Sequence, residues 1–291
     1  MAEKVDQMDP NEKIVEIAIE RLRVFENHPF RVEMDSQMKD LQDSIKKYGI
    51  ITPVIVRPRK EGYYEIISGH RRIFAAEKLG YRKVPTIIRY MTDDQAVIAM
   101  VDSNLQRERI QPSEKAFAYK MKLDALKRQG ARSDLTSSQV GMKLQALDIV
   151  GQEAGDSRNQ VHRFIRLTNL IPELLDMVDE KKISFNPAVE LSYLDEKQQR
   201  DFLEAMDGTQ NAPSVSQAMQ LKKMAQRGEF TYEKAFDILG QEKKSERDTV
   251  TIKNETLRKY FPRSYTPRQM EEKIIQLLDA WQKKRQRGNE R

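Results

Sequence analysis

Apolar positions fall in short β-branched runs over the first part of the chain and settle into helical spacing afterwards. Ile14–Glu20 mixes alternation with β-branched residues and predicts a first strand, extended by Leu22–Phe25. Pro53–Arg57 and Tyr63–Ile67 predict a hairpin, joined by the turn residues Arg59-Lys60-Glu61-Gly62. Val84–Ile88 predicts one more short strand. Two helices interleave with them. One is capped by Asp35 or Ser36, carries Met38, Leu41 and Ile45 on one face and stops at Gly49; the other runs from Gly69 to Gly80.

Beyond residue 90 the strand signal ends. Thr92 with Gln95 is a capping-box signature for a helix through Ala96, Val97 and Met100. Pro112 suits a first helical position, and Ser113–Gln129 keeps helical periodicity up to Gly130, followed by the polar break Arg132-Ser133-Asp134. Three or more further helices are expected over 136–228, interrupted by Gly151, Gly155, Pro172, Pro187 and Pro213. Gln241–Asp248 reads as a charged linker. Thr266-Pro267-Arg268-Gln269 caps a last helix whose stripe of Met270, Ile274, Leu277/Leu278 and Trp281 suits docking or dimerisation. The expected fold class is an α+β N-terminal domain with a small mixed sheet, an all-α helix-turn-helix domain and a C-terminal helical segment. The expected boundaries are a flexible N-terminus at 1–12, a nucleotide-binding domain at 13–110, a helical DNA-binding domain at 111–228 with its helix-turn-helix at about 136–170, and a basic helical region at 229–291.

Composition narrows the function classes. With 291 residues, 33% of them charged, the chain is long enough for two or three domains. It has no cysteine, which excludes disulfides, thiolate metal sites and cysteine-based catalysis. No apolar run has the length of a membrane span and Met1–Asp6 lacks the apolar core of a signal peptide, so a cytoplasmic location is expected. Residues 251–291 hold eleven Lys/Arg against five Asp/Glu, which accounts for the whole net charge of +6. Nucleic-acid binding would therefore work through local patches plus the basic tail Lys283–Arg287.

Two constellations carry chemistry. Gly69-His70-Arg71-Arg72 lies between a strand and a helix. There a glycine allows close backbone approach, the helix start offers N–H groups, and two guanidiniums can grip phosphate oxygens. A capped surface turn explains the same residues without a ligand. Leu135–Leu170 has the layout of a helix-turn-helix, with Thr136–Val140 starting one helix, Gly155-Asp156-Ser157 as turn and cap, and Arg158–Thr168 as the second helix. Val161, Phe164, Ile165 and Thr168 form its expected buried face. Arg158, Asn159, His162, Arg163 and Arg166 fall on the outer side and, with Ser138, Gln139 and Ser157, form the candidate DNA-binding set. The segment Met142–Ala154 is long for a minimal unit, so the first helix is expected to be extended or to carry an insertion. His28, His70 and His162 show no metal-ligand spacing and read as hydrogen-bonding or surface histidines. No catalytic residue is assigned.

In order, these segments resemble the ParB family of plasmid and chromosome partition proteins. Asn27–Arg31 is similar to the family's Asn-Pro-x-Gln-Pro-Arg loop, Leu41–Arg57 to its segment ending in Val-Arg, and Gly69–Ala76 to Gly-Glu-Arg-Arg-x-x-Ala-Ala. Ser103–Glu108 through Pro112–Ala116 is similar to Glu-Asn-Leu-Gln-Arg-Glu…Pro-x-Glu-x-Ala. The resemblance covers roughly residues 14–205. It implies a homodimeric DNA clamp regulated by CTP with Mg²⁺, loaded at a palindromic double-stranded site, working with a ParA-type ATPase on the nucleoid and hydrolysing nucleotide slowly. The nucleotide-binding set it implies is Arg31, Gly69, His70, Arg71, Arg72, Ser103, Asn104 and Arg107. The sequence departs from the family at two acidic positions, occupied here by His70 and Ser103. Two other readings are a ParB-like transcriptional regulator of a mobile element that has lost nucleotide switching, and a nucleotide-dependent enzyme on the same fold.

Overall fold

The computed structural model describes residues 12–107, 110–133, 139–241, 254–257, 259–262 and 264–288. Strand β1 (Ile14–Ala18) leads through a single 3₁₀ turn at Ile19–Arg21 into the two-residue β2 (Leu22–Arg23), so the expected continuous first strand is broken. After α1 (Ser36–Tyr48) come the hairpin strands β3 (Val54–Pro58) and β4 (Tyr64–Ser68), then α2 (His70–Lys78) and β5 (Lys83–Ile88). The sheet order is β1-β5-β3-β4-β2. β1/β5 and β3/β4 are antiparallel; β3/β5 and β4/β2 are parallel.

Both faces of this sheet are covered, which explains the unbroken apolar run Val54-Ile55-Val56. Val54, Val56 and Ile66 pack with Ile73 and Ala76 of α2. Ile55 and Ile67 face the other way, into a cluster with Ala96, Ala99 and Met100 of α3 (Asp93–Leu105). Thr92 caps α3 through the expected capping box with Gln95, and Asp35 caps α1 by accepting from the Met38 N–H.

The long α4 (Pro112–Ser133) joins the sheet domain to the helices and passes the expected stop at Gly130. Helices α5 (Gln139–Ala154), α6 (Arg158–Leu167), α7 (Pro172–Asp179), α8 (Phe185–Leu191), α9 (Glu196–Thr209), α10 (Val215–Gln226) and α11 (Tyr232–Gly240) follow. Their common core includes Leu167, Leu174, Ile183, Leu191, Phe202, Leu221 and Leu239. Because α11 contributes Ala235, Ile238 and Leu239 to that core, the first compact unit runs to Gln241, past the boundary expected at 228.

Gly151 does not interrupt a helix as expected but lies inside α5, which is the extended first helix. Pro187 likewise lies inside α8, near its start, where no preceding helical carbonyl needs its N–H. The second unit, taken by itself, contains α12 (Asn254–Leu257) and α13 (Pro267–Gly288), the latter capped reciprocally by Thr266 and Gln269. On α13 Met270 is buried while Ile275, Leu277 and Leu278 are exposed. Among the described residues no helix is long and apolar enough to cross a membrane.

Candidate nucleotide and DNA sites

Gly69 has φ +104°, a left-handed conformation, and opens α2 directly from the end of β4. A Cβ there would lie 3.2 Å from Val54 Cγ2 and 3.3 Å from the Arg72 guanidinium, a tight fit, and the conformation itself favours glycine. The first N–H groups of α2 face the turn without helical acceptors.

The two arginines of the turn differ. Arg72 donates to the backbone carbonyls of Thr52 and Pro53, which braces the turn against the start of β3. Arg71 forms a two-pronged pair with Asp35, at 2.8 and 3.2 Å. Hydrogen bonding from Arg71 holds the Asp35 carboxyl below its ordinary range. A phosphate can replace a side-chain carboxylate on a guanidinium, so Arg71 is the arginine suited to a ligand.

Two more segments close on this turn. Arg107, just past α3, lies half-buried with its guanidinium 5.4 Å from the centre of the Phe30 ring. Its pKa is lowered by burial and by the charge of Arg71, against the opposing influence of Glu114 and Asp35. Asn104 is 3% exposed and its amide donates to the Met100 carbonyl at 2.8 Å, so it is part of the last turn of α3. Ser103 Oγ donates to the same carbonyl.

The loop ahead of α1 supplies Phe30 and His28. The rings of His28 and His70 lie against each other, centres 3.8 Å apart and planes tilted by 42°. His70 is neither a surface nor a hydrogen-bonded histidine, contrary to expectation: it is 6% exposed and neither ring nitrogen has a partner. Arg31 points away from the turn. Its backbone N–H donates to Glu114 Oε1, and its guanidinium pairs with Asp176 at 2.9 Å on α7, near Asp179.

The set expected from sequence therefore divides. Gly69, His70, Arg71, Arg72 and Arg107 gather, Asn104 and Ser103 bond within the last turn of α3, and Arg31 is held by the helical domain. Asp35, His28, Phe30 and Glu114 were missed as members. Asp35 carried only a capping signal, and His28, Phe30 and Glu114 lay inside the family-like stretches Asn27–Arg31 and Pro112–Ala116 without being singled out.

A magnesium ion held by protein carboxylates does not fit this set, since magnesium prefers oxygen ligands. Position 70 is an imidazole and position 103 a hydroxyl. Asp35 is paired with Arg71, and Asp102 with the fully buried Lys122. No cluster of three or more metal-ligating side chains occurs among the described residues. A separate cavity of about 590 Å³, lined by Arg57, Arg59, Asp93, Asp94 and Arg128, shares no residue with the turn, and its arginines pair with acids.

In the helix-turn-helix, Gly155 (φ +71°) ends α5, and Ser157 caps α6 by accepting from the Gln160 N–H. Gly151 allows the crossing, because a Cβ there would lie 2.5 Å from the Asp156 carbonyl oxygen. Asp156 is anchored to α4 by the Tyr119 hydroxyl at 2.6 Å and the Lys115 ammonium at 2.8 Å. Val161 is buried as expected, together with Leu167, while Phe164, Ile165 and Thr168 are half-buried.

Arg158, Asn159 and His162 are exposed, with Arg158 bound to Asp148. Arg163 and Arg166 depart from the expected outer face. Arg163 reaches Asn186, and Arg166 donates to Ser192 and lies 3.9 Å from the centre of the Tyr193 ring. α8 approaches that side of α6 and offers acceptors that helical periodicity could not reveal. Ser138 lies outside the described residues, as does the side chain of Gln139.

The ParB N-terminal domain model matches residues 3–105 and the ParB HTH domain model matches residues 108–227. The chain belongs to the ParB family. A nucleoid occlusion protein of Listeria monocytogenes is 31% identical over 204 residues, covering 67% of this chain and 65% of that protein. The chromosome-partitioning protein Spo0J of Thermus thermophilus is 29% identical over 182 residues, covering 62% of this chain and 61% of that protein. The chain thus spans slightly under two thirds of the length of these relatives. A solved structure of the C-terminally truncated ParB of Caulobacter crescentus, complexed with CTP-gamma-S, is 25% identical, covers 62% of this chain and 92% of its own, and has a TM-score of 0.31. In this ParB-family chain the two matched domains are the sheet domain with α3 and the helical domain that begins with α4.

Proposed function

We propose that this chain is a sequence-specific DNA-binding partition protein that acts as a dimeric clamp controlled by CTP. The observation that carries the nucleotide part is the convergence of Arg71 and Arg107 on a helix start opened by Gly69 in a left-handed conformation. Arg71 would exchange Asp35 for a phosphate, and Arg107 would add a second cation. Family membership points to cytidine. Magnesium would arrive on the phosphates, where it offsets their charge, rather than on protein carboxylates.

DNA would be read by the α5–α6 unit through Arg158, Asn159 and His162, at a palindromic site if the chain is a homodimer. Arg31, held by Asp176 of α7 yet adjoining the nucleotide loop, offers a route by which occupancy at Gly69 reaches the helical domain. A ParA-type ATPase as partner and a nucleoid location in the cytoplasm follow from the same reading.

The second reading, a site-specific regulator without nucleotide switching, is favoured by one observation: His70 and Ser103 stand where the family has acids. Titration of each ribonucleoside triphosphate into the purified chain, with and without DNA, followed by phosphate release, separates the two. The clamp reading expects CTP to bind most tightly, with slow or no hydrolysis. Absence of binding by every nucleotide would leave the regulator.

A further inference from the structure

We propose that His28 and His70 take up a proton when a nucleotide triphosphate occupies the turn at Gly69, so that nucleotide binding by this chain is proton-coupled. The inference rests on the nucleotide reading above and adds its regulation. Its basis is geometric. His70 is the first residue of α2, is 94% buried, and leaves both ring nitrogens without a partner; His28, lying against it, leaves Nε2 without one. Three unpartnered ring nitrogens in one place are a defect that folded proteins rarely keep without a use.

His28 Nδ1 lies 2.8 Å from the Phe30 carbonyl oxygen, which places its hydrogen there and makes Nε2 an acceptor. The pair thus offers one acceptor beside a second imidazole, all at a helix start that favours anions.

Arg107, past α3, is the charge that acts on both rings, and Arg71 on α2, Asp35 at the cap of α1 and Glu114 on α4 act in turn on Arg107. In the free chain, burial is the largest influence. It lowers His28 to about 4, with Arg107 adding to the effect, and His70 to about 2, with His28 and Arg107 adding to it. Both rings are therefore neutral near pH 7. A triphosphate adds several negative charges among these same groups, which favours the charged imidazole. The gained proton makes both ring nitrogens of His70 donors, one of which can serve a phosphate oxygen. Repulsion between the adjoining rings limits the uptake to about one proton.

The sign is as follows. In the free chain the unfolded state binds protons at these two residues below about pH 6.5 while the folded state does not, so stability falls on acidification. Bound nucleotide reverses that trend, and its affinity rises as pH falls.

The test is calorimetric titration of CTP into the full chain and into His70→Gln, in buffers of different ionisation heat, from about pH 8 to about pH 6. Comparison with the variant removes protonation of the nucleotide itself. The expected result is uptake of close to one more proton by the parent, and a ratio of parent to variant affinity that grows up to about tenfold per pH unit lowered. Together the imidazole resonances of His28 and His70 should report close to one added proton on adding CTP to the parent, while exposed His162 serves as the internal reference. This second measurement decides the matter if His70→Gln fails to fold or to bind.

Equal proton counts in parent and variant with CTP bound, or imidazole resonances that stay neutral, would overturn proton coupling and leave the nucleotide reading standing. Absence of binding by any triphosphate would overturn both.

Discussion

At the Gly69 turn, Arg71 is held by one side-chain carboxylate, that of Asp35; on α6, Arg166 is held by the backbone carbonyl and hydroxyl of Ser192 and by the face of Tyr193. Both arginines come from short basic runs, and from sequence both suit phosphate. A carboxylate pair at partial exposure contributes little net stability, and an incoming phosphate can replace it. A guanidinium bonded to the backbone of a neighbouring helix has no comparable exchange, because its withdrawal leaves buried acceptors unmet. The first arrangement keeps a cation available for a ligand. The second uses one to dock α6 against α8. Similar residue types can thus serve binding in one domain and packing in another.

The sharpest way to separate the two regions is Gly151→Ala. The added Cβ would meet the Asp156 carbonyl oxygen at 2.5 Å, a backbone atom fixed through Tyr119 and Lys115. A loss of about 3 kcal/mol is expected in urea unfolding of the helical domain, with DNA binding reduced and CTP binding retained. Loss of CTP binding as well would mean that the two regions are not separable.

Next in size is Arg71→Ala. Removing a charge-assisted donor pair should weaken CTP binding by about 100-fold in calorimetry, with site-specific DNA binding largely intact. Parent-like CTP binding would sink the phosphate assignment. Arg166→Ala should cost about 1–2 kcal/mol of stability, read from the urea midpoint, through lost hydrogen bonds and the Tyr193 contact. If its main effect were instead a flatter salt dependence of DNA binding, Arg166 would be a phosphate contact and the contrast with Arg71 would fail. The smallest effect on stability is expected from Arg158→Ala, whose side chain is exposed. Here melting should be unchanged, and the slope of log affinity against log salt should fall by about 1.

Much of the fold was legible. β-branched runs, capping residues such as Thr92 with Gln95, and the turn signal at Glu61-Gly62 are local, and the strands, α2, α3 and α4 follow from them. Errors arose where a residue's role depends on something distant. Gly151 looked like a break because glycine lowers helix propensity; it lies inside α5 because the turn at Asp156 needs the space. At the candidate site, Gly69 and Arg71 stood out because glycine, arginine and a strand–helix junction form a local pattern, whereas Arg107 entered through the family-like stretch Ser103–Glu108. His28 was not, because its partner is 42 residues further along the chain.

By itself the sequence determined most of the order of strands and helices, the glycine that opens α2, and membership of the ParB family. Each depends on neighbours within a few residues or on motifs kept in order. Only the tertiary structure decided which guanidiniums are committed. It turned Arg31 toward Asp176, 145 positions away, tied Arg72 to the carbonyls before β3, folded Arg166 onto α8 and left Arg71 on an exchangeable carboxylate. The physical reason is that a long, charged side chain takes whichever acceptor the packed chain brings within reach, and that acceptor is set by contacts between elements rather than by the pattern along one of them.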